Sequence, residues 1–309
     1  MISEQRIKEE AMRLGFAACG ISEAGPASSE ESYFDNWLAE GNHAGMRFME
    51  NYRDLRLDPA GLLDGARSII SVAMNYYPAV RQPEDVPQLA YYAYGKDYHD
   101  VMKEKLAQLV AFIRREVDMN ARCFTDSAPI LERYWAWKAG LGWIGKNTHL
   151  IIPGKGSYFF LGEIVTDLYL SPDCPMENRC GQCTRCMDAC PTKAIEAPKK
   201  LNAGKCISYL TIENREEIPE ELASLTGNRM YGCDTCQQVC PWNRFAHPTD
   251  EASFRMNDEL AAMTAPKWYS LSREEYTRLF KGSAVKRAKF EGLQRNIANY
   301  QKNNNTTKI

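Results

Sequence analysis

Apolar residues in the first half of the chain alternate between the periodicity of helices and the short runs typical of strands. Apolar positions recur with helical spacing in four segments, which predicts helices over residues 3–14, 30–40, 100–117 and 130–139. Short apolar runs lie between and after these segments and predict strands at residues 68–74, 122–125, 148–152 and 158–166. This alternation indicates an α/β or α+β domain that ends near residue 170.

The pattern changes after residue 170. Pro172 and Pro175 interrupt it, and cysteines rather than apolar periodicity dominate the next segment. Helical spacing then returns in three segments, at about residues 252–263, 272–281 and 284–300. We therefore predict an α+β chain of three parts, with a large domain at residues 1–170, a cysteine-rich module at 171–247 and C-terminal helices at 248–309.

Length and composition are those of a globular protein. The chain has 309 residues, 44% of them hydrophobic, which is enough for a large core and one smaller module. It contains no run of about 18 apolar residues, so we expect no membrane-spanning segment. The N-terminus is charged and amphipathic and lacks the apolar core of a secretory signal. We therefore expect a cytoplasmic protein, in which eleven cysteines do not indicate disulfides.

Eight of the cysteines form two related patterns. The first is the bacterial ferredoxin spacing, in which three thiolates wrap one cubane and the fourth ligates another: Cys180-x2-Cys183-x2-Cys186-x3-Cys190-Pro191. The second is Cys206-x26-Cys233-x2-Cys236-x3-Cys240-Pro241. Zinc sites use paired ligands with wider gaps, often with histidine, so the spacing favours iron over zinc. The symmetric assignment crosses over, with one 4Fe–4S cluster on Cys180, Cys183, Cys186 and Cys240 and the other on Cys190, Cys206, Cys233 and Cys236.

Charge is distributed unevenly along the chain. The net charge is −2, yet residues 265–309 contain ten Lys and Arg against three Asp and Glu. A basic end on an acidic protein can dock a polyanion such as RNA. A solvated helical face would show the same charge pattern, so charge alone leaves both interpretations open.

Long segments of the sequence resemble a known family. They are residues 94–99 (YGKDYH), 125–133 (TDSAPILER), 140–147 (GLGWIGKN), 157–163 (SYFFLGE), 206–213 (CISYLTIE) and 231–237 (YGCDTCQ). Together they resemble the epoxyqueuosine reductases, and the resemblance extends from about residue 3 to residue 298. It implies a monomeric oxidoreductase that converts epoxyqueuosine at the wobble position of tRNA to queuosine. It also implies a cobalamin between the first domain and the ferredoxin-like module, and an external one-electron donor such as flavodoxin or ferredoxin.

The resemblance also implies roles for individual residues. Asp126 matches the proton donor, a role that favours a carboxylic acid whose pKa is raised by an apolar site. The matching cobalamin contacts are Arg56, Tyr98, Asp126, Leu150, Ser208, Cys233 and Asp234. The expected tRNA contacts are Arg215, Lys281, Lys286, Arg287, Lys289 and Arg295. Local alternatives remain: a helix N-cap for Asp126, a surface salt bridge for Arg56, and plain core roles for Tyr98 and Leu150.

Two other motifs are weaker. Gly140-x4-Gly145-Lys146 resembles a phosphate-binding loop, but Asn147 replaces the Ser or Thr that should hold magnesium, so a tight glycine turn near the cofactor is the better interpretation. His99 in Asp97-x-His99 resembles a cobalt-ligating histidine without the expected glycine, which favours a polar pocket or core role. Two alternative functions stay open: a corrinoid reductive dehalogenase and a non-catalytic iron–sulfur electron carrier.

Overall fold

A computed structural model of the chain describes residues 2–306, and its centre is a four-stranded sheet. The strands are β1 (Ala18–Glu23), β2 (Ser68–Asn75), β4 (Ala121–Phe124) and β7 (Phe159–Thr166). Their order is β1–β2–β7–β4, and every neighbouring pair is antiparallel. An antiparallel sheet with helices packed on it is an α+β arrangement, so the predicted fold class is confirmed.

Helices cover both faces of this sheet. α1 (Glu4–Arg13) and α4 (Tyr98–Arg114) lie on one face, and α5 (Glu132–Lys138) lies on the other. Successive side chains of β2 point to opposite faces of the sheet. Ile70 packs in the apolar cluster of α1 and α4, and Ile69 packs in that of α5. The two inner strands are therefore buried on both faces, which explains why the sequence there is a continuous apolar run rather than an alternating one.

Strand β1 is absent from the strands predicted by the apolar pattern. Its sequence, ACGISE, is short and consists largely of small residues, so it gives little periodic signal. Gly20 in this strand allows close packing, because a Cβ there would lie 2.0 Å from the carbonyl oxygen of Ala139 at the end of α5. The small residues of β1 thus allow α5 to pack closely against the sheet.

Shorter elements connect the large ones. They are α2 (Ser28–Ala39), a 3-10 turn (Arg47–Met49), α3 (Arg53–Leu57), a second 3-10 turn (Pro59–Leu62), β3 (Gln88–Leu89), a third 3-10 turn (Tyr91–Ala93), β5 (Trp143–Ile144) and β6 (Leu150–Ile151). β5 and β6 form an antiparallel hairpin around the GKN segment at residues 145–147. The predicted helix at 30–40 and strand at 148–152 correspond to α2 and β6.

The cysteine-rich module consists of short elements. They are α6 (Arg185–Asp188), β8 (Ile195–Ala197), β9 (Lys200–Leu201), α7 (Ile207–Ile212), α8 (Glu220–Ala223), β10 (Arg229–Tyr231) and α9 (Thr235–Gln238), with 3-10 turns at Ala203–Lys205, Ser224–Thr226 and Pro241–Phe245. α6 and α9 occupy equivalent places in the two cysteine patterns and pack against each other. β10 pairs in parallel with β3 and so joins the module to the first domain.

Four helices close the chain: α10 (Asp258–Ala261), α11 (Ala265–Tyr269), α12 (Arg273–Leu279) and α13 (Lys289–Thr306). The predicted helix at 284–300 is split, because residues Ala284–Ala288 form a 3-10 turn and Lys289 has a φ of 60°. Within residues 2–306 no helix has both the length and the apolar character that crossing a bilayer requires. Lys308 of the basic end lies outside the described residues.

Candidate active site

The eight patterned cysteines lie in two groups. Burial raises the pKa of Cys240, and the neighbouring thiols of Cys180 and Cys183 add to the increase. Burial likewise raises the pKa of Cys186, with Cys240 and Cys180 as its neighbours. In the second group, burial raises the pKa of Cys206 to about 11, and neighbouring thiols at Cys233 and Cys190 add to the increase. These neighbours agree with the crossed assignment, in which each group draws a cysteine from the other pattern, although Cys186 also lies near Cys236. The ligand assignment itself stays a prediction.

The described cysteines do not form a site for a single metal ion. Among residues 2–306, no three His, Cys, Asp or Glu side chains converge closely enough to bind a single metal ion. A cubane holds its four cysteines further apart than zinc does, because each thiolate binds a different corner. Four half-buried cysteines per group therefore fit cubanes better than zinc.

The GKN segment forms hydrogen bonds with the cysteine-rich module. Lys146 Nζ donates hydrogen bonds to the carbonyl oxygens of Gly181 and Cys183, at 2.8 and 3.0 Å, and Asn147 Nδ2 donates to that of Cys236 at 3.3 Å. The lysine that resembles a phosphate ligand is thus directed at the cysteine loops. This contact explains the tight glycine turn, and it places the β5–β6 hairpin between the module and the sheet.

Asp126 lies at the centre of a hydrogen-bond network. Tyr98 Oη donates to Asp126 Oδ2 at 2.6 Å, and His99 Nε2 lies 3.2 Å from the same oxygen. Asp97 accepts from His99 Nδ1 at 2.7 Å, which fixes the ring. Asp126 has a left-handed φ of 56°, and its backbone N–H donates to the Glu132 carboxylate. The N-cap alternative for Asp126 is wrong, because α5 begins at Glu132 with Leu131 as its N-cap.

The network separates charges. Burial alone would raise the pKa of Asp126, but hydrogen bonds from His99 and Tyr98 outweigh burial and lower it. Hydrogen bonds to Asp126 and Asp97 raise the pKa of His99 to about 9. At neutral pH the proton therefore resides on His99, and Asp126 is an anion. The raised pKa expected for Asp126 is not found, because the carboxylate faces a cationic ring rather than an apolar wall.

Two further carboxyl groups lie behind this network. Burial, together with the charge of Asp126, raises the pKa of Glu132 to about 8. Glu163 on β7 is fully buried, and within the described chain both its carboxyl oxygens lack a hydrogen-bond partner, as does the hydroxyl of its cross-strand neighbour Ser71. Burial, followed by the charge of Glu132, raises the pKa of Glu163 well above its ordinary value. Burial thus favours the neutral form of the Glu163 carboxyl group.

We expect Glu163→Gln to gain stability over the parent protein as pH rises. Between its unfolded pKa of 4.5 and its higher folded pKa, such an acid keeps its proton only in the folded state. Parent stability therefore falls by about 1.4 kcal/mol per pH unit above pH 4.5 until the pH reaches the folded pKa. Glutamine does not ionise, so the Glu163→Gln variant loses no stability in this way. Melting temperatures of the two proteins between pH 5 and pH 8 measure the effect, with Glu220→Gln at an exposed site as control. A difference independent of pH would contradict the assignment.

Aromatic rings connect this network to the second cysteine group. Tyr98 stacks on Phe160 with ring centroids 4.3 Å apart, and Phe160 contacts Tyr76 at 4.6 Å. Tyr76 Oη lies 3.4 Å from Gln237 Oε1, next in sequence to Cys236. The Asp126 side chain is 57% exposed, so the network opens to solvent, and we call the space in front of Asp126, Tyr98 and His99 the cleft. The cleft thus lies near the Cys190–Cys206–Cys233–Cys236 group.

The residues expected to bind cobalamin have different environments. Arg56 is only 8% exposed and donates to the carbonyl oxygens of Phe48 and Asn51, so the surface salt-bridge alternative is wrong. Leu150 is buried in the cluster under α5. Ser208 and Cys233 are half-buried, and the buried Asp234 carboxylate accepts from the backbone N–H of Tyr91 at 2.8 Å. None of these environments tests cobalamin binding, so the predicted contacts stay Arg56, Tyr98, Asp126, Leu150, Ser208, Cys233 and Asp234.

The residues expected to bind tRNA fall into two classes. Lys281, Lys286 and Lys289 are exposed, as is Arg287, which forms an ion pair with Glu213. The carboxylate of Glu213 raises the pKa of Arg287, and Asp126 lies within electrostatic range of the same guanidinium. Arg215 donates to the carbonyl oxygen of Arg287. Arg295 is half-buried and donates to the carbonyl oxygens of Leu210, Asn214 and Glu216, which is a structural role.

Sequence reasoning missed two charged residues of the cleft. Glu132 binds the backbone of Asp126, and Arg133, whose guanidinium donates to Thr148, is close enough to lower the pKa of Asp126. Both lie in the TDSAPILER segment, three and four residues after Pro129. A charged Glu-Arg pair at the first turn of a helix otherwise buried against the sheet is the signal that could have identified them.

Comparison with known sequence families agrees with this geometry. Residues 179–243 match the family described as a 4Fe-4S double cluster binding domain, and residues 56–127 match that described as Epoxyqueuosine reductase QueG, DUF1730. The chain thus carries a 4Fe–4S double-cluster domain. It is 46% identical over 292 residues to the epoxyqueuosine reductase of Cellulophaga algicola, covering 94% of this chain and 95% of the relative. The Escherichia coli enzyme is 43% identical over 301 residues, covering 95% and 79%.

Solved structures agree at the level of the whole fold. An epoxyqueuosine reductase crystallised with a tRNA-Tyr epoxyqueuosine-modified stem loop superposes with a TM-score of 0.88 at 32% identity, covering 97% of this chain and 81% of that one. The enzyme from Streptococcus thermophilus gives a TM-score of 0.89 at 29% identity, covering 98% and 82%. Sequence and structure thus match over nearly the whole chain. The chain belongs to the epoxyqueuosine reductase family.

Proposed function

We propose that this protein reduces epoxyqueuosine at the wobble position of tRNA to queuosine. The overall change takes up two electrons and two protons, converts the epoxide to an alkene and releases water. The observation that carries the proposal is the open cleft in which Asp126, Tyr98 and His99 meet, with the second cysteine group nearby. Relatives covering almost the whole chain are epoxyqueuosine reductases, which favours this activity over the dehalogenase and carrier alternatives.

Electrons would enter through the cysteine module. Two adjacent 4Fe–4S clusters pass electrons singly, from an external one-electron donor such as flavodoxin or ferredoxin. The residues that would hold a cobalamin are Arg56, Tyr98, Leu150, Ser208 and the backbone at Cys233 and Asp234. A cleft that is open beside Asp126 and close to Cys236 fits such a group. When bound, a reduced cobalamin would supply a strong reductant at the epoxide.

Protons would come from the network around Asp126. Opening the epoxide leaves an alkoxide, which needs a proton from a positioned acid. Because His99 holds a proton at Nε2 in contact with Asp126 Oδ2, the Asp126 carboxylate can take that proton and pass it to the alkoxide. His99 then regains a proton from solvent, which supplies the second proton of the reaction. A similar enzyme from Bacillus subtilis has its catalytic aspartate loop swung out of the active site. We propose that residues 125–131 likewise move and carry Asp126 with them.

The basic end would hold the tRNA. Lys281, Lys286, Arg287 and Lys289 are exposed, and Arg287 lies at the cleft that contains Asp126. An anticodon loop is single-stranded, so its wobble base can be turned into a cleft while neighbouring phosphates contact lysines and arginines. A similar enzyme has been crystallised with such a stem loop.

Reconstitution tests the function directly. The purified protein is loaded anaerobically with iron, sulfide and cobalamin, given a low-potential reductant and incubated with epoxyqueuosine-containing tRNA. Mass analysis of the digested nucleosides should show loss of epoxyqueuosine and gain of queuosine. Chlorophenols serve as comparison substrates. Turnover of chlorophenols with untouched tRNA would overturn the proposal in favour of a dehalogenase.

We expect reversal of charge at Lys286, Arg287 and Lys289, each changed to Glu, to weaken binding of a tRNA stem loop. The slope of log affinity against log salt should fall by about two to three, because each lost phosphate contact removes about 0.7–0.9 of the slope. Titrations from 50 to 200 mM salt measure it. Reversal of Arg114 and Arg115, exposed at the far end of α4, is the matched control. Unchanged affinity and slope would show that tRNA docks elsewhere.

A further inference from the structure

An exposed aromatic loop lies beside the cleft. The aromatic loop comprises residues 46–52, between α2 and α3, and it contains the Arg47–Met49 turn. Phe48 is 43% exposed and Tyr52 is 69% exposed, with Tyr52 in a left-handed conformation at φ 56°. A non-glycine residue seldom adopts this conformation, and large rings exposed together on one short loop can mark a binding surface.

Hydrogen bonds from a buried side chain fix the backbone of the aromatic loop. The Arg56 guanidinium donates to the carbonyl oxygen of Phe48 at 2.7 Å and to that of Asn51 at 3.1 Å. Among the described residues no carboxylate pairs with Arg56, so its donors serve the loop backbone. Upstream, the backbone N–H of Gly45 donates to Tyr209 Oη on α7 at 2.9 Å. The Phe48 and Tyr52 rings therefore project from a backbone that hydrogen bonds hold in place.

Phe48 is paired with a cation that faces Asp126. The Arg287 guanidinium lies 5.9 Å from the centroid of the Phe48 ring and is also bonded to Glu213. Arg287 belongs to the exposed basic strip with Lys286 and Lys289. Phe48 thus stands where the basic strip meets the cleft. An aromatic face next to a guanidinium in a basic groove is the combination that binds unpaired bases.

We propose that Phe48, with Arg287 beside it, stacks on an unpaired anticodon-loop nucleotide next to the one that enters the cleft, and that Tyr52 extends this surface. The proposal rests on the tRNA function proposed above and adds to it a subsite for a second base. RNA is the occupant because the adjoining side chains are cationic and the rim leads to Asp126. Stacking does not depend on base identity, since every base has a π-face.

The test compares Phe48→Ala with Phe48→Trp in the reconstituted protein. The probe is a tRNA anticodon stem loop carrying 2-aminopurine beside the wobble position, whose fluorescence is quenched by stacking. Loss of the ring should weaken binding by about 5- to 150-fold, the range for one base stacked on an aromatic ring. Phe48→Trp should restore both affinity and quenching. The salt slope should stay unchanged in Phe48→Ala, because no phosphate contact is lost.

The chain offers a matched control. Tyr169 is 58% exposed and lies 5.0 Å from the guanidinium of Arg67, at the opposite end of the sheet from Asp126. Tyr169→Ala should leave RNA affinity within about twofold. Iron content and melting temperature of each variant verify folding.

Several results would overturn the proposal. One is Phe48→Ala binding the stem loop as tightly as the parent protein. Another is equal weakening for a closed RNA duplex, which has no unpaired base to stack. A third is loss of cobalamin retention or of flavodoxin-driven reduction alone, because the ring would then serve the cofactor or the electron donor. If the parent protein itself does not bind the stem loop, the proposed function fails, which is a separate result.

Discussion

Asp126→Asn is expected to lower the rate of epoxide reduction by about 10²-fold or more, the usual contribution of a positioned acid. Asparagine can accept the hydrogen bond from Tyr98 and tolerates the left-handed φ of 56°, so the loop should keep its shape. It cannot carry a proton to the alkoxide. Single-turnover reduction of epoxyqueuosine tRNA measures the loss, while iron content and cobalamin absorbance should match the parent protein.

The matched control is Asp118→Asn, an exposed aspartate beyond the far end of α4. α4 is 17 residues long, so Asp118 lies about 25 Å from Tyr98 and His99 at the start of the helix, which contact Asp126. A second readout is the pKa of His99, which should fall from about 9 towards its ordinary 6.5 once the Asp126 anion is removed. For the parent protein, activity should decline as pH rises through about 9, since the proton on His99 is lost there. Turnover by Asp126→Asn near the parent rate would refute the role.

The second large effect concerns the crossed cysteine ligands. Cys190→Ala with Cys206→Ala should remove one cluster and leave about four of the eight iron atoms, because both ligands belong to the same cubane. Cys186→Ala with Cys190→Ala should remove both clusters, although these residues are four positions apart. The structure groups the thiols in this way across the two patterns.

Iron analysis and the spectrum of the reduced protein distinguish the arrangements. If each pattern held its own cubane, the results would be reversed: the Cys190 and Cys206 pair would remove both clusters, and the Cys186 and Cys190 pair only one. Cys174→Ala, an exposed cysteine outside the patterns, should retain about eight iron atoms. Zinc in place of iron in the anaerobically prepared parent protein would contradict the cluster assignment as a whole.

Features set by local spacing could be predicted from the sequence. The cysteine patterns indicate two cubanes because ligand spacing is fixed by the size of the cluster. The strands near 68–74 and 158–166 were predictable because both are buried on two faces and are therefore apolar throughout. β1 was missed since its residues were selected for close packing, as Gly20 against Ala139 shows.

Features set by distant contacts could not be predicted. The pKa of Asp126 is lowered by His99, which lies 27 residues earlier in the sequence, and nothing local to Asp126 reveals that ring. Arg295 is part of a basic tail in the sequence, but the carbonyl oxygens that occupy its guanidinium come from residues 210–216. Charge counts cannot distinguish an arginine that is hydrogen-bonded to backbone carbonyl oxygens from one that is available to bind a phosphate. The Phe48–Arg287 pair likewise joins two distant segments.

The parallel pairing of β3 with β10 has a consequence for assembly of the holoprotein. β10 ends two residues before Cys233, and the Asp234 carboxylate accepts from the backbone of Tyr91, just after β3. We therefore expect incorporation of iron into the second cubane to order residues 88–91 as well as the cysteine loops. The predicted boundary at residue 170 marks a change in sequence character, yet a chain cut there would separate β3 from β10 and leave an unpaired strand edge. Metal loading and the ordering of this strand pair should thus occur together.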